Sequence, residues 1–293
     1  MTIKKAIITS AGFGTRFLPI TKSIQKEMLP ILNRPLVDYI VEDCIKAGVE
    51  EIIFVISEHN KQLVHFYREN ERLKSYLERM GKSEQYAAVA QLHTQAQFQF
   101  VKQSDDEIYG TATPVKLAQE YVQNEEAFLV FMGDDCIYNP DGSSEAARMM
   151  ELFSAADATG LATCISKPDT ELHKYGIAST RSENNLTYLT DLIEKPAPGD
   201  APSNLANLSK YIFTPAIFDL LASQQPNAQS GELFITDTIA ELARQTEKVV
   251  IHQPHGIYLD GGNPLSWLQA NLTVALHEKD YAAETRAMLK ELL

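Results

Sequence analysis

Apolar residues occur in short unbroken runs, separated by segments where they recur at helical spacing. That alternation is expected of strands buried on both faces and of helices laid over them. The first run, KAIIT at 5–9, ends in Ser10-Ala11-Gly12 and reads as a buried strand. Pro35 opens PLVDYIVEDCIKAG, in which Leu36, Ile40, Val41, Cys44 and Ile45 share one face and Gly48 stands just past the end, so it reads as a helix. With EIIFVIS at 51–57 the chain has spelled strand, loop, helix, strand. In such a βαβ unit the crossover is right-handed and ligands bind outside the carboxyl ends of the strands.

The pattern continues with one long charged helix around 60–80, a strand at 98–102 and a helix after Pro114. The run AFLVFM at 127–132 then ends at Gly133-Asp134-Asp135. Strands at 160–166, 176–180, 187–194 and 206–213 are separated by polar turns, which predicts a partly antiparallel extension of the same sheet. PAPGDAPSN at 196–204 reads as a surface loop, and residues 264–293 as an amphipathic helical tail suited to packing or oligomer formation. The expected fold is α/β and Rossmann-like, a central mixed, mostly parallel sheet flanked by helices. One domain is expected over 1–293: a first half to about 160, a second over about 161–263, and the tail from 264.

The composition, 44% hydrophobic and 22% charged, is that of a globular chain and excludes wholesale disorder. No apolar stretch is long enough to span a bilayer, and MTIKKAIITSAG lacks the long apolar region of a signal peptide, so a cytoplasmic protein is expected. Cys44, Cys136 and Cys164 are odd in number and far apart, as reduced core thiols would be. With 26 basic and 39 acidic residues the net charge is −13, which argues against nucleic acid and anionic membranes as partners. An anionic ligand would therefore need a locally basic pocket, and Arg16, Lys22 and Lys26 cluster to supply one.

These three lie in SAGFGTRFLPITKSIQKEMLP, between the first strand and the first helix, where α/β units usually need two to six residues. Gly12 and Gly14 let backbone N–H groups approach an anion, Arg16 offers a planar fork and Lys26 a point charge. Phe17 occupies the third glycine position of a dinucleotide fingerprint, and no Gly-Lys-Ser/Thr follows as a Walker loop requires. AGxGTR, then KEMLP ten residues later and a Pro-led helix, resembles the signature loop of the sugar-1-phosphate nucleotidyltransferases, and the phrase to VDYIVED is similar to their bacterial glucose-1-phosphate uridylyltransferase branch.

The resemblance, which runs along nearly the whole chain, implies a GT-A-like nucleotidyltransferase fold. It places nucleotide binding at Ala11, Gly12, Gly14, Thr15, Arg16 and Lys26, with Gln103 reading the uracil edge and Gly110 in the next base-contacting loop. The usual GLGHA of that loop is here Gly110-Thr111-Ala112-Thr113-Pro114, a departure that leaves thymidylyl transfer, or another nucleotide sugar, open. Gln25 stands where proline is common, and Asn207 and Ser209 replace the more usual residues before Tyr211.

Paired carboxylates at a sheet edge suit Mg²⁺ when phosphates are near. The resemblance makes Asp134 and Asp260 the metal ligands, with Asp135 supporting the loop. Tyr175, Gly176, Glu194, Lys195 and the segment from Asn204 to Tyr211 (NLANLSKY) correspond to the sugar-phosphate half of the site, and ELFITD at 232–237 to a structural phrase capping a helix that begins near Asp237. His252 and His255 lack a third ligand for a metal, and Cys136 reads as a packed thiol. The implied reaction is in-line attack of glucose 1-phosphate on the α-phosphorus of UTP, with pyrophosphate held by Arg16 and Lys26, and Lys195 on the sugar phosphate. A homo-oligomer, dimer or tetramer, is implied as well. The rival from another class is a catalytically silent nucleotide-sugar regulator, against which the intact charged set argues.

Overall fold

The strand-loop-helix-strand opening is present in the computed structural model, which describes residues 2–293. Strand β1 (Lys5–Ser10) is followed by the long loop, and a two-residue hairpin, β2 (Pro30–Ile31) with β3 (Arg34–Pro35), turns the chain into the helix Leu36–Lys46. Then come β4 (Glu51–Ser57), β5 (Gln97–Gln103), β6 (Phe128–Met132) and β7 (Asp135–Tyr138). The second half contributes β8 (Gly160–Ser166), β9 (Gly176–Glu183), β10 (Leu186–Glu194), β11 (Leu205–Phe213), β12 (Val249–His252) and β13 (Ile257–Asp260).

Among the described residues nine strands form one sheet, in the order β5-β4-β1-β6-β11-β8-β12-β10-β9. Pairing is parallel from β5 across to β6 and again between β8 and β12, and antiparallel at the other junctions. This is the mixed sheet the two halves of the sequence predicted. It is covered on both faces, because successive strand residues point to opposite sides. Ala6 and Ile8 join the apolar layer under the helices Leu36–Lys46 and Glu145–Ala155, whereas Ile7 joins the layer under Thr113–Leu117 and Ile235–Thr246. Each fully buried aliphatic or aromatic side chain contributes roughly 1.5–3 kcal/mol. All three cysteines are buried and unpaired, and no helix of the described residues is long and apolar enough to cross a membrane.

Two expectations are corrected. The helix expected around 60–80 is broken into Gln62–Phe66 and Glu71–Arg79. Tyr67 turns inward to donate to Asp38 Oδ1 at 2.8 Å, and Asn70 caps a new start by accepting from Leu73 N. ELFITD supplies no side-chain cap to the helix expected near Asp237, which begins at Ile235, whose N–H donates to Thr111 Oγ1 at 3.0 Å. A loop from the other side of the chain supplies the cap.

Strand β11 carries a bulge near its middle. Its register against β8 shifts between Asn207, opposite Cys164, and Tyr211, opposite Ala162, so Leu208, Ser209 and Lys210 together face Thr163. Ser209 takes φ 54 in this bulge. Bulges re-aim side chains, and here Lys210 is buried against β7 while Asn207 and Ser209 line the adjoining cleft.

Candidate active site

A cleft of about 460 Å³ opens where the carboxyl ends of β1, β5 and β6 meet the junction of β9 with β10. The loop after β1 forms one wall. Gly14 adopts φ 64, where a Cβ would come within 3.0 Å of Thr21 Cγ2, and the Thr21 hydroxyl donates to Gly14 O. This left-handed residue starts the tight turn Thr15–Phe17, which carries Thr15 and Arg16 to the cleft beside Ala11 and Gly12. Lys26 reaches back across Gly12, where a Cβ would be 3.5 Å from its ammonium.

Lys26 Nζ lies 2.5 Å from Asp134 Oδ2 and 3.8 Å from Glu27 Oε1. Burial alone would lower the affinity of Lys26 for its proton, but the charges of Asp134 and Glu27 outweigh it and raise the pKa. Burial pushes Asp134 up, and Lys26 more than reverses this, leaving the carboxyl below its ordinary value. Glu27 differs: burial dominates over the pull of Lys26 and lifts its carboxyl to about 7.

Asp134 follows the close packing of Gly133, where a Cβ would lie 2.6 Å from Ser10 Oγ and 2.9 Å from Thr9 O. Asp135 turns away from the cleft to an ion pair with buried Lys210, and Tyr258 donates to its other oxygen at 3.0 Å. Its carboxyl is lifted to about 6 by burial, against the opposing charge of Lys210. The partners of β7 and β13 align Asp135 with Asp260. Asp260 accepts from Gly262 N at 2.7 Å, and a Cβ on Gly262 would lie 2.9 Å from Asp260 Oδ1 and 3.7 Å from Asp134 Oδ2. The two carboxylates therefore face the same point at the edge of the cleft, although Asp260 itself does not line it. Hard oxygen donors of this kind suit a divalent cation such as Mg²⁺.

Buried Gln103 ends β5 on the cleft wall, and Gly110 follows at φ 139 with no room for a side chain against the Leu233 backbone. The segment 110–114 is pinned from both sides: Ala112 N donates to Leu233 O, Leu233 N to Tyr109 O, and the Thr113 hydroxyl to Ile108 O. Opposite, Gly176 pairs with Glu194, and a Cβ there would lie 3.2 Å from Glu194 Oε2. Lys195 adopts φ 45, donates its N–H to Tyr175 O, and holds its ammonium 3.4 Å from Glu194 Oε1. Tyr175, Gly176, Glu194 and Lys195 all line the cleft.

Of the segment 204–211, Asn207 and Ser209 line the cleft, while Asn204 does not and its Nδ2 donates to Ser166 Oγ at 2.6 Å. His252 and His255 serve structure, both meeting buried Glu145, through the His252 ring at 2.7 Å and His255 N–H at 3.2 Å.

Glu27, Tyr109 and Thr236 line the cleft without a signal in the sequence that singles them out. Glu27 stood in plain view beside Lys26, but only the fold shows it to be 1% exposed. Tyr109, stacked on Phe13 across the mouth with centroids 6.2 Å apart, carried no motif at all. Among the described residues nine buried side-chain atoms lack a hydrogen-bond partner, and five of them, Glu27 Oε1 and Oε2, Gln103 Oε1, Asn207 Oδ1 and Thr236 Oγ1, belong to residues lining this one cleft. Buried polar atoms are almost always satisfied, so their concentration here marks a place built for a polar ligand.

Comparison with known proteins points the same way. Residues 5–276 match the family described as Nucleotidyl transferase. A UTP–glucose-1-phosphate uridylyltransferase of Staphylococcus epidermidis is 34% identical over 293 residues, covering 99% of this chain and 98% of its own. One from Bacillus subtilis is 33% identical over 295 residues, covering 99% and 97%. The UTP-bound UGPase of Acinetobacter baumannii has a similar structure, with a TM-score of 0.88 at 29% identity, covering 99% of this chain and all of the other.

Proposed function

Because the chain belongs to the nucleotidyl transferase family, we propose that it forms UDP-glucose and pyrophosphate from UTP and glucose 1-phosphate, as the names of its full-length relatives describe. What supports the reading is that one cleft gathers Arg16, Lys26 and Asp134 on one wall and Glu194 and Lys195 on the other. Both substrates are polyanions, so the barrier is largely electrostatic, and positioning with charge neutralisation lowers it. A phosphate oxygen of the sugar attacks the α-phosphorus and the bond to the β-phosphate bridging oxygen breaks in line. Arg16 and Lys26 stabilise the departing pyrophosphate, Lys195 holds the sugar phosphate, and Glu194 accepts from sugar hydroxyls. The left-handed backbone of Lys195 turns its ammonium toward the cleft on a fixed strand end. Gln103 and Gly110 face the base. No general base is required, because the attacking phosphate is already ionised at neutral pH. Mg²⁺ held by Asp134 and Asp260 would add charge neutralisation at the phosphates.

We read residues 1–293 as one domain, since β11 from the second half lies between β6 and β8. The exposed apolar residues Leu265, Leu268, Met288 and Leu292 of the tail suit a homo-oligomer. A cytoplasmic location accords with the unpaired thiols. The altered 110–114 segment favours, as a second reading, thymidylyl transfer on the same scaffold. Pyrophosphate release measured over UTP, dTTP, ATP, CTP and GTP against glucose, galactose and N-acetylglucosamine 1-phosphates tests both. A dominant signal at UTP with glucose 1-phosphate is expected; one at dTTP would move the substrate, and none anywhere would favour a silent nucleotide-sugar regulator.

A further inference from the structure

The proposed chemistry asks Lys26 to hold phosphate and Asp134 to hold a divalent cation, yet the two side chains hold each other. The ammonium lies 2.5 Å from Asp134 Oδ2, the same oxygen that, with Asp260, faces Gly262. The side chains of Lys26 and Asp134 are 19% and 25% exposed, so the pair is largely shielded from water. Glu27, 3.8 Å from the ammonium, is the other carboxyl beside it.

We infer that Lys26 is the resident counter-cation of the metal position, occupying Asp134 until metal and nucleotide arrive together and then passing to the phosphates. The inference rests on the reading of Asp134 as a metal ligand. A poorly hydrated carboxylate is costly without a cation, and a poorly hydrated ammonium without an anion. A divalent cation arriving alone must displace the ammonium and leave it with Glu27 as its remaining neighbour. Arriving with a triphosphate, it brings the anion to which the ammonium can move. One cation is exchanged for another at Asp134 and the phosphates take up the one released. Metal and nucleotide binding are therefore positively coupled through Lys26, in addition to any direct contact between them.

Binding of Mn²⁺, a spectroscopic substitute for Mg²⁺, to nucleotide-free protein is the test, read by electron paramagnetic resonance without reference to activity. Wild type should bind Mn²⁺ weakly, and Lys26→Gln or Lys26→Met should bind it about tenfold or more tightly. Lys26→Arg, which keeps the charge, should remain weak. Lys195→Gln removes a cleft cation that touches Glu194 rather than Asp134, and should gain much less. The tighter binding should disappear when Asp134→Asn is added. Equal affinity in wild type and Lys26→Gln, or an equal gain in Lys195→Gln, overturns the exchange. Repeating the titration with UTP separates this from the underlying reading: Mn²⁺ binding with UTP that is indifferent to Asp134→Asn removes the metal site itself, and the exchange with it.

Discussion

Glu27→Gln should make the protein more stable than wild type above neutral pH, by an amount that shrinks as the solution is acidified. Glu27 is buried, neither carboxylate oxygen has a hydrogen-bond partner among the described residues, and the charged groups facing it are Lys26 and Asp134. Burial, opposed by Lys26, raises the carboxyl from 4.5 to about 7. A folded-state value above the unfolded one means that the folded chain holds this proton more tightly. The contribution of Glu27 is thus fully present below the unfolded value and lost as pH rises through the folded one. At about 1.4 kcal/mol per pH unit that gap is worth about 3 kcal/mol, or roughly 5–10 °C in Tm for a chain of this size. Glutamine keeps the shape and carries no charge to bury. Urea unfolding of both proteins from pH 5 to pH 9 should show the advantage of Glu27→Gln growing with pH and levelling off above about 7. An advantage that does not vary with pH, or a variant weaker than wild type at the alkaline end, would refute the burial argument.

Other outcomes derive from the same geometry. Lys195→Ala should lower kcat about 100-fold or more while UTP affinity, measured by calorimetry, stays nearly unchanged; a parallel loss of UTP binding would contradict its place on the sugar phosphate. Gly110→Ala should destabilise by roughly 1–3 kcal/mol and raise KM for UTP, because a Cβ there meets the Leu233 backbone at φ 139. Lys210→Met should destabilise by roughly 3–5 kcal/mol by stranding Asp135, and adding Asp135→Asn should recover much of that in thermal unfolding. Glu145 is held down to about 2 because hydrogen bonds from His252, Gly256 and His255 outweigh the upward push of burial. Its stabilisation is present above the unfolded value of 4.5 and lost as pH falls toward 2, so Glu145→Gln should flatten the acid limb of the stability curve.

The parallel half of the sheet was legible because its strands are continuous apolar runs and its helix starts with proline and ends before glycine. The cleft was legible because the phosphate loop is far longer than a connection needs. What escaped depended on contacts between distant segments. Nothing around 60–80 announces that Tyr67 will turn to Asp38, and nothing in ELFITD shows that Thr111 will receive the helix start. Asn204 stands just before β11 and Asn207 within it, and only the assembled fold shows that Asn207 lines the cleft. The burial of Glu27 and Lys210 is likewise a property of the assembled layers, since isolated charged residues in sequence read as solvated.

The position of β11 also has a bearing on how the chain is made. Phe128–Met132 is among the most apolar segments of the protein, and its free side is closed only by residues 205–213. During synthesis from the N-terminus, an unpaired edge of FLVFM must wait for more than seventy further residues to emerge before its partner exists. Exposed apolar edges template association with other chains. Products truncated before 205 should accordingly collect in aggregates, and the stretch between the two strands is where an accompanying chaperone would matter most.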